Sequence, residues 1–136
     1  MNTQNYPSWL VPLDIAKELK EIGFNELVQN SYYSNKGTER ILSSTLRLEK
    51  KSLADANILN FLVSLPTWEQ VFEWFREKGY IGTINFVYID KNNFYYKLRI
   101  NGKCNFINEE KFTNYEDARE KLINKLIETY KTNEIL

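Results

Sequence analysis

The sequence predicts an α+β fold in which an antiparallel sheet of three strands, or slightly more, packs against helices. Two observations in the C-terminal half predict it. A helix, three strands and a closing helix follow one another after Pro66, and short turn sequences separate the strands. A third observation is an amphipathic helix near the N-terminus.

Length and composition are typical of one domain. The chain has 136 residues, of which 43% are apolar, and this is enough for a core without disulfides or metal. No repeat, low-complexity tract or linker interrupts it. We therefore expect a single α+β domain over residues 1–136.

The first predicted element is a helix from about Pro12 to Ile22. Proline suits an early helical position because its missing N–H would have no partner there. Apolar residues every three to four positions form one stripe along this helix. Gly23 supplies the left-handed residue after the helix, and Phe24 supplies the apolar contact that often follows it.

The pattern over residues 25–52 is ambiguous. Ser31–Gly37 has the composition of a turn or loop. Arg40–Leu48 fits a strand or a helix, and leucines alternating with charged residues in its second half favour a strand. Leu53–Leu65 is apolar and is predicted to be a helix that ends before Pro66.

The helix after Pro66 has the clearest boundaries. Thr67 and Gln70 form a capping box, in which each side chain binds the other residue's free backbone N–H. Gly79 ends the helix. One face is predicted to carry Trp68, Val71, Phe72 and Phe75, with Trp74 at its edge.

Three strands are predicted next, at about Gly82–Ile89, Phe94–Ile100 and Lys103–Ile107. Asp90–Asn93 and Asn101-Gly102 supply the turns between them.

The last predicted helix runs from Thr113 to about Lys131. Thr113 and Glu116 form a second capping box at its start. Its inward-facing residues are predicted to be Tyr115, Ala118, Leu122, Leu126 and Ile127.

Two registers are open for the second hairpin. A two-residue turn pairs Ile100 with Lys103, whereas a three-residue loop with a left-handed Gly102 pairs Arg99 with Lys103. A slip of one residue exchanges the two faces of a strand, so the buried face decides between them. The three-residue loop is preferred because it collects apolar residues on one face, namely Phe94, Tyr96, Leu98, Cys104 and Phe106.

The opposite face of the sheet carries the candidate ligand-binding residues, which are Tyr88, Tyr95, Lys97, Arg99 and Lys103. Tyr88 belongs to this face, together with Phe86, if the first hairpin has a two- or four-residue loop. Rings beside cations hold bases and phosphates in many nucleotide and single-strand binders. The competing interpretations are that the N-terminal half covers this face, or that the face is only a solvated surface.

Few residue types point to catalysis. The chain has no histidine, which removes the commonest general base and the usual zinc ligand. Cys104 is predicted to be a buried strand residue rather than a nucleophile, and Glu109-Glu110 is typical of a solvated surface. We therefore expect no enzymatic activity, no catalytic residue, no metal site and no cofactor.

Charge and targeting signals constrain the partners. Eighteen basic and eighteen acidic residues cancel, whereas general affinity for nucleic acid normally needs a basic excess. Cys104 as the single cysteine excludes an internal disulfide, and Met1–Pro7 is too polar for a signal peptide. We expect a cytoplasmic protein without membrane contact, for which nucleic acid is not the favoured partner.

Leu13–Phe24 and Pro66–Lys78, followed by strands and a Tyr-Glu-Asp-Ala sequence at Tyr115–Ala118, resemble a family of small uncharacterised proteins from Bacteroidetes and their phages. The resemblance spans most of the chain, and the shared motifs are helix caps and core aromatic residues. It implies a phage or prophage source, hence the host cytoplasm, and it implies no functional residues.

These observations favour a small non-enzymatic binding protein that contacts a protein or a small ligand, and a homo-oligomer is compatible with them. The hypothesis rests on an aromatic content of 15% and a net charge of zero. The alternative is a nucleotide or single-stranded nucleic-acid binder that uses Tyr95, Lys97, Arg99 and Lys103. A third hypothesis is a metal-dependent hydrolase that uses carboxylates.

Overall fold

The structure is a computed structural model that describes residues 6–43 and 62–135. These residues form three α-helices and two three-stranded antiparallel sheets, which confirms the α+β class. The chain divides into two compact units, Met1–Gln70 and Val71–Leu136. The expectation of a single domain stays a prediction.

The elements follow one another as α1 (Leu13–Glu21), β1 (Asn30–Asn35), β2 (Thr38–Ser43), β3 (Leu62–Ser64), α2 (Trp68–Glu77), β4 (Tyr80–Asp90), β5 (Asn93–Gly102), β6 (Phe106–Ile107) and α3 (Tyr115–Tyr130). Five π-helical residues, Lys131–Ile135, follow α3. The predicted order of the C-terminal half, helix, three strands and helix, is confirmed.

Helix α1 ends through backbone hydrogen bonds that its sequence predicts. Gly23 has a φ of +100°, and its N–H donates to the Lys20 carbonyl oxygen at 3.2 Å. The Phe24 N–H donates to the Leu19 carbonyl oxygen at 2.9 Å, and the Phe24 side chain is buried. These two bonds define a Schellman motif, which satisfies carbonyl groups that the helix end leaves free.

The segment predicted as a turn or loop, Ser31–Gly37, is mostly strand, so this prediction was wrong. β1 pairs with β2, and the turn between them is the two residues Lys36 and Gly37, with φ of +51° and +85°. Two successive positive φ angles match the right-handed twist of a hairpin. The turn lies within the predicted segment, but the serines and asparagines of β1 are typical of turns, so the strand was not predicted.

β3 lies on the other side of β1, giving the order β2-β1-β3. The predicted helix Leu53–Leu65 is therefore wrong at its end, where Leu62–Ser64 is a strand. The rest of that prediction lies outside the described residues. The strand favoured for Arg40–Leu48 is present up to Ser43, and the remainder of that segment also lies outside them.

The boundaries of α2 agree with the sequence. The Thr67 N–H donates to Gln70 Oε1 at 2.9 Å, and the Gln70 N–H donates to Thr67 Oγ1 at 3.2 Å, which confirms the capping box. Gly79 ends the helix with a φ of +97°. Trp74 is buried and Phe72 is half-buried, the reverse of their predicted roles.

The second sheet has the order β4-β5-β6. Arg99 pairs with Ile107 and Ile100 pairs with Phe106, so the predicted three-residue loop, with Arg99 opposite Lys103, was wrong. The observed register differs from it by an even number of residues, and Phe106 therefore stays on the face of Ile100 as predicted.

The N-cap of helix α3 lies one residue later than predicted. Asn114 is the N-cap, and its side chain accepts a hydrogen bond from the Asp117 N–H at 3.2 Å, so the predicted capping box of Thr113 and Glu116 was wrong. Tyr115 is exposed rather than inward-facing. The other predicted inward residues are buried, and Ile123 joins them.

Gly102→Ala is expected to destabilise the protein by roughly 2 kcal/mol or more. Gly102 has a φ of +109°, which costs an L-residue about 1–2 kcal/mol, and an added Cβ would lie 2.1 Å from the Gly79 carbonyl oxygen. Gly23→Ala is the matched control, because Gly23 has a φ of +100° and no atom within 4 Å of an added Cβ. Urea unfolding measures both variants, and equal losses would contradict a steric role for the Gly79 backbone.

Candidate functional site

The two faces of the β4-β5-β6 sheet have different surroundings. A Cβ added to Gly82 would meet Leu126 Cδ1 at 3.0 Å and Leu122 Cδ2 at 3.3 Å, so α3 lies against the face that Gly82 belongs to. We call this the helix face. Gly82 pairs with Ile100, which places the even-numbered residues of β5 on the same face. Leu98 and Ile100 are accordingly buried there.

Near the start of α3, four rings of the helix face and the ring of the first α3 residue form an aromatic cluster, which we define as Phe86, Tyr88, Phe94, Tyr96 and Tyr115. The ring of Phe86 is central, with its centroid 5.1 Å from that of Tyr96, 5.8 Å from that of Phe94 and 6.2 Å from that of Tyr88. The Tyr96 and Tyr115 centroids are 5.6 Å apart, with the rings nearly perpendicular. These are favourable ring separations, each worth about 0.5–1.5 kcal/mol beyond area burial.

The cluster is uncovered because α3 begins beside it. The Tyr96 N–H donates to the Phe112 carbonyl oxygen at 2.7 Å, and the Phe112 N–H donates back at 3.3 Å, which fixes the chain just before the helix. The Phe86, Tyr88 and Tyr115 side chains remain 53%, 63% and 42% exposed. Among the described residues the only other aromatic side chain as exposed as these is that of Trp9, so this exposure distinguishes the cluster from the core.

Tyr88 is the first correction to the predicted site. Asp90 pairs with Asn93 across a two-residue turn, but a β-bulge at Ile89 then places Tyr88 opposite Phe94. One extra residue in a strand reverses the faces of the residues that precede it. Tyr88 and Phe86 therefore lie on the helix face, whereas the prediction placed them with Tyr95.

Three predicted ligand-binding residues do share the other face of the sheet, which we call the open face. Tyr95, Lys97 and Arg99 pair with Val87, Asn85 and Thr83, and odd-numbered residues of β5 lie on one side. Tyr95 and Lys97 are half-buried and Arg99 is exposed. Lys111 adds a cation that the sequence prediction missed, since its Nζ lies 4.8 Å from the Tyr95 ring centroid.

Lys103 is the second correction. Its Nζ lies 3.2 Å from Glu134 Oε1 and 5.9 Å from the ring centroid of Tyr80, a fully buried residue. The Tyr80 hydroxyl donates to the same carboxylate oxygen at 2.8 Å. Lys103 thus contacts Glu134 in the π-helical residues after α3 and Tyr80 at the start of β4, and it is not grouped with Lys97 and Arg99.

These contacts lower the pKa of Glu134. The hydrogen bond from Tyr80, followed by that from Lys103, holds the pKa of Glu134 below its usual range. Burial, followed by the bond to Glu134, raises the pKa of Tyr80. The hydrogen bonds of the folded state therefore favour the ionised form of the Glu134 carboxyl group.

The other candidate catalytic or metal-ligating residues do not form a site within the described residues. Cys104 has a free thiol and lies in the loop between β5 and β6, half-buried, so its predicted strand position was wrong. Within residues 6–43 and 62–135, no three acidic or cysteine side chains are grouped closely enough to hold a metal ion. No helix in those ranges has the length and apolarity to cross a membrane.

The N-terminal unit has a cleft of about 210 Å³ beside Trp9. Two of the polar residues that line it already have structural partners: the Gln70 side chain caps α2 and donates to the Leu27 carbonyl oxygen at 3.2 Å, and the Asn30 carbonyl oxygen accepts from the Leu65 N–H at 2.9 Å. Trp9 itself is 55% exposed. The aromatic cluster concentrates more exposed ring surface, and it is the stronger candidate.

Glu134→Gln is expected to lower stability at neutral pH but not in acid. Because the folded pKa of Glu134 is depressed, its carboxylate stabilises the fold above the ordinary pKa of a glutamate, and this contribution disappears as pH falls through the folded pKa. The free energies of unfolding of wild type and variant, measured with urea over this pH range, should become equal at low pH. Glu77→Gln, at an exposed position in α2, controls for loss of a carboxylate. A difference that is constant with pH would contradict the assignment.

No protein-family model, curated protein or solved structure matches this chain. The resemblance to proteins of Bacteroidetes and their phages stays a prediction. The two faces of the β4-β5 hairpin, one with the aromatic cluster and one with Tyr95, Lys97 and Arg99, are the candidate sites.

Proposed function

We propose that this protein is a non-enzymatic binding module whose aromatic cluster contacts a partner protein. One observation carries the proposal: five rings contact one another at the end of a hairpin, and Phe86 and Tyr88 are more than half exposed. Exposed rings lower solubility, so a surface that retains them is typical of an interaction site.

The cluster is well suited to form the centre of an interface. Aromatic side chains provide large contact areas and lose little conformational entropy because they have only two side-chain torsions. The rings of Phe94 and Tyr96 are half-buried and contact the ring of Phe86, so the Phe86 ring is already held in place before binding. Such preorganisation lowers the entropic cost of association.

The surroundings of the cluster favour a protein over a small ligand. Small-molecule sites are enclosed and combine apolar walls with a few converging polar groups. Here the outer rings are open to solvent, and a cation lies at the edge, where the Arg119 guanidinium carbon is 5.6 Å from the Tyr115 ring centroid. Apolar rings at the centre and a charge at the rim are the arrangement of protein interfaces.

Replacing Phe86 and Tyr88 together with serine is expected to reduce capture of the partner at least about tenfold, because rings at the centre of an interface contribute most of its free energy. Immobilised wild type and variant are exposed to a lysate of the natural host, and the bound proteins are quantified by mass spectrometry.

Trp9→Ser is the matched control, since Trp9 is 55% exposed but lies outside the cluster. It should retain the same partner as wild type. A partner that both variants capture equally well, or a wild-type protein that captures none, would contradict the proposal.

The open face supports a second candidate function, the binding of nucleotides or single-stranded nucleic acid. Tyr95, Lys97 and Arg99 lie together there, and Lys111 contacts the Tyr95 ring from outside the strand. A ring contacted by one cation, with two further cations on the same face of the strand, is suited to a base and its phosphates. The loss of Lys103 and Tyr88 from this face makes the surface smaller than the sequence predicted.

Lys97→Glu with Arg99→Glu tests this second function. If the open face binds phosphates, the double variant should lose salt-dependent binding of a short fluorescent oligonucleotide, because it replaces two cations with two anions. Lys121→Glu, on an exposed position of α3, changes the net charge elsewhere and should retain most of the binding. Equal anisotropy titrations for all three proteins would exclude the open face.

A further inference from the structure

The outer edge of β4 is long and unpaired by any described strand. β4 has eleven residues, Tyr80–Asp90, and it is the end strand in the order β4-β5-β6. An edge strand presents a row of free backbone N–H and C=O groups that another strand can pair with.

The hydrogen bonds of β5 show which β4 residues direct these groups outward. Tyr96 exchanges both backbone bonds with Phe112, and the Leu98 carbonyl oxygen accepts from the Asn108 N–H at 3.1 Å. The even-numbered residues of β5 therefore bond away from β4, and the odd-numbered residues bond to β4 because alternate residues of an antiparallel strand point in opposite directions. Their β4 partners are Thr83, Asn85 and Val87. The outward groups consequently belong to the residues between and beside these partners, namely Gly82, Ile84, Phe86 and Tyr88.

This edge lacks the usual protection against pairing. Natural edge strands carry lysine, proline or inward-pointing charges that discourage another strand. Residues 80–89 of β4 include no charged residue and no proline. Exposed apolar side chains flank the edge on both faces, with Phe86 and Tyr88 on the helix face and Ile81 and Ile89 elsewhere along the strand.

We propose that β4 pairs antiparallel with β4 of a second copy of this chain, about a two-fold axis at Asn85. This register uses all four outward residues, because it places Gly82 opposite Tyr88 of the other copy and Ile84 opposite Phe86. The two sheets join into one sheet of six strands, and the two aromatic clusters lie on the same side of it.

A second copy fits this edge better than an unrelated strand because the edge is complementary to itself. A two-fold axis places each residue near its own counterpart, so any charge in the centre of β4 would face a like charge. The centre has none, and Asn85 meets the neutral amide of its counterpart. Ile81 comes near Ile89, which pairs two exposed apolar side chains. The net charge of zero adds no general repulsion between copies.

Asn85→Lys tests this arrangement. Two lysines directly opposite at the axis should raise the dissociation constant of the dimer at least about tenfold, as measured by sedimentation over a range of concentrations. Asn92→Lys makes the same change on the exposed turn after β4 and should leave the dimer intact. Thermal unfolding of both variants confirms that each is folded.

A cysteine cross-link provides the second measurement. In a Cys104→Ser background, Asn85→Cys should form a disulfide with its counterpart under mild oxidation, because opposed residues of antiparallel strands lie within the Cα separation of a disulfide, about 4.4–6.8 Å. Asn92→Cys should not. A wild-type protein that is monomeric at every concentration would overturn the inference, as would a dimer that survives Asn85→Lys and does not cross-link at residue 85.

The dimer and the proposed function are tested by different substitutions, so one can fail without the other. Serine at Phe86 and Tyr88 removes rings but keeps the outward backbone groups, whereas Asn85→Lys keeps every ring. A monomeric wild type that still loses its partner on removal of the two rings would overturn the dimer and leave the proposed function standing.

Discussion

The pairing of β4 with β5, including the bulge at Ile89, is the constraint on which the C-terminal unit depends. It is fixed at one end by the close approach of Gly102 to the Gly79 carbonyl oxygen and at the other by the turn at Asp90–Asn93, where Asp90 Oδ1 accepts from the Asn92 N–H at 2.8 Å. Between these ends, every side chain is assigned to the helix face or to the open face. Because side chains alternate, a shift of one residue would exchange the two sets.

Both candidate sites and the free edge follow from that assignment. The helix face has more aromatic residues than α3 can cover, since the helix begins at Tyr115 and the hairpin continues past it. The open face collects the cations of β5. The same ladder of hydrogen bonds that joins β4 to β5 also leaves alternate residues of β4 directed outward. Ring exposure, local charge and the outward direction of alternate β4 backbone groups are thus three consequences of one register.

Local signals in the sequence predicted most of the fold. The capping box at Thr67 and Gln70 and the glycines that end α1 and α2 involve residues within a few positions of each other, so a single sequence reveals them. The two faces of β5 were also predicted, because they follow from the alternation of apolar residues within the strand. The length of the loop between β5 and β6 was predicted wrongly, but the register error is an even number of residues, so Phe106 stays on the predicted face. The strand β1 escaped prediction because its serines and asparagines are residues typical of turns.

The candidate site was predicted less well because its decisive contacts are not local. The bulge that moves Tyr88 to the helix face has no signature in the residues around it, and the Lys103 partner, Glu134, is 31 positions away. One signal was available: four aromatic residues, Phe86, Tyr88, Phe94 and Tyr96, lie close to the predicted turn at Asp90–Asn93.

The assignment of faces by the bulge is the central claim, and proton NOEs in the wild-type protein test it most directly. The structure predicts NOEs from the Phe86 ring to the rings of Tyr88, Phe94 and Tyr96. NOEs from the Tyr88 ring to Tyr95 or Lys97 would contradict it, because they would place Tyr88 on the open face and dissolve the aromatic cluster.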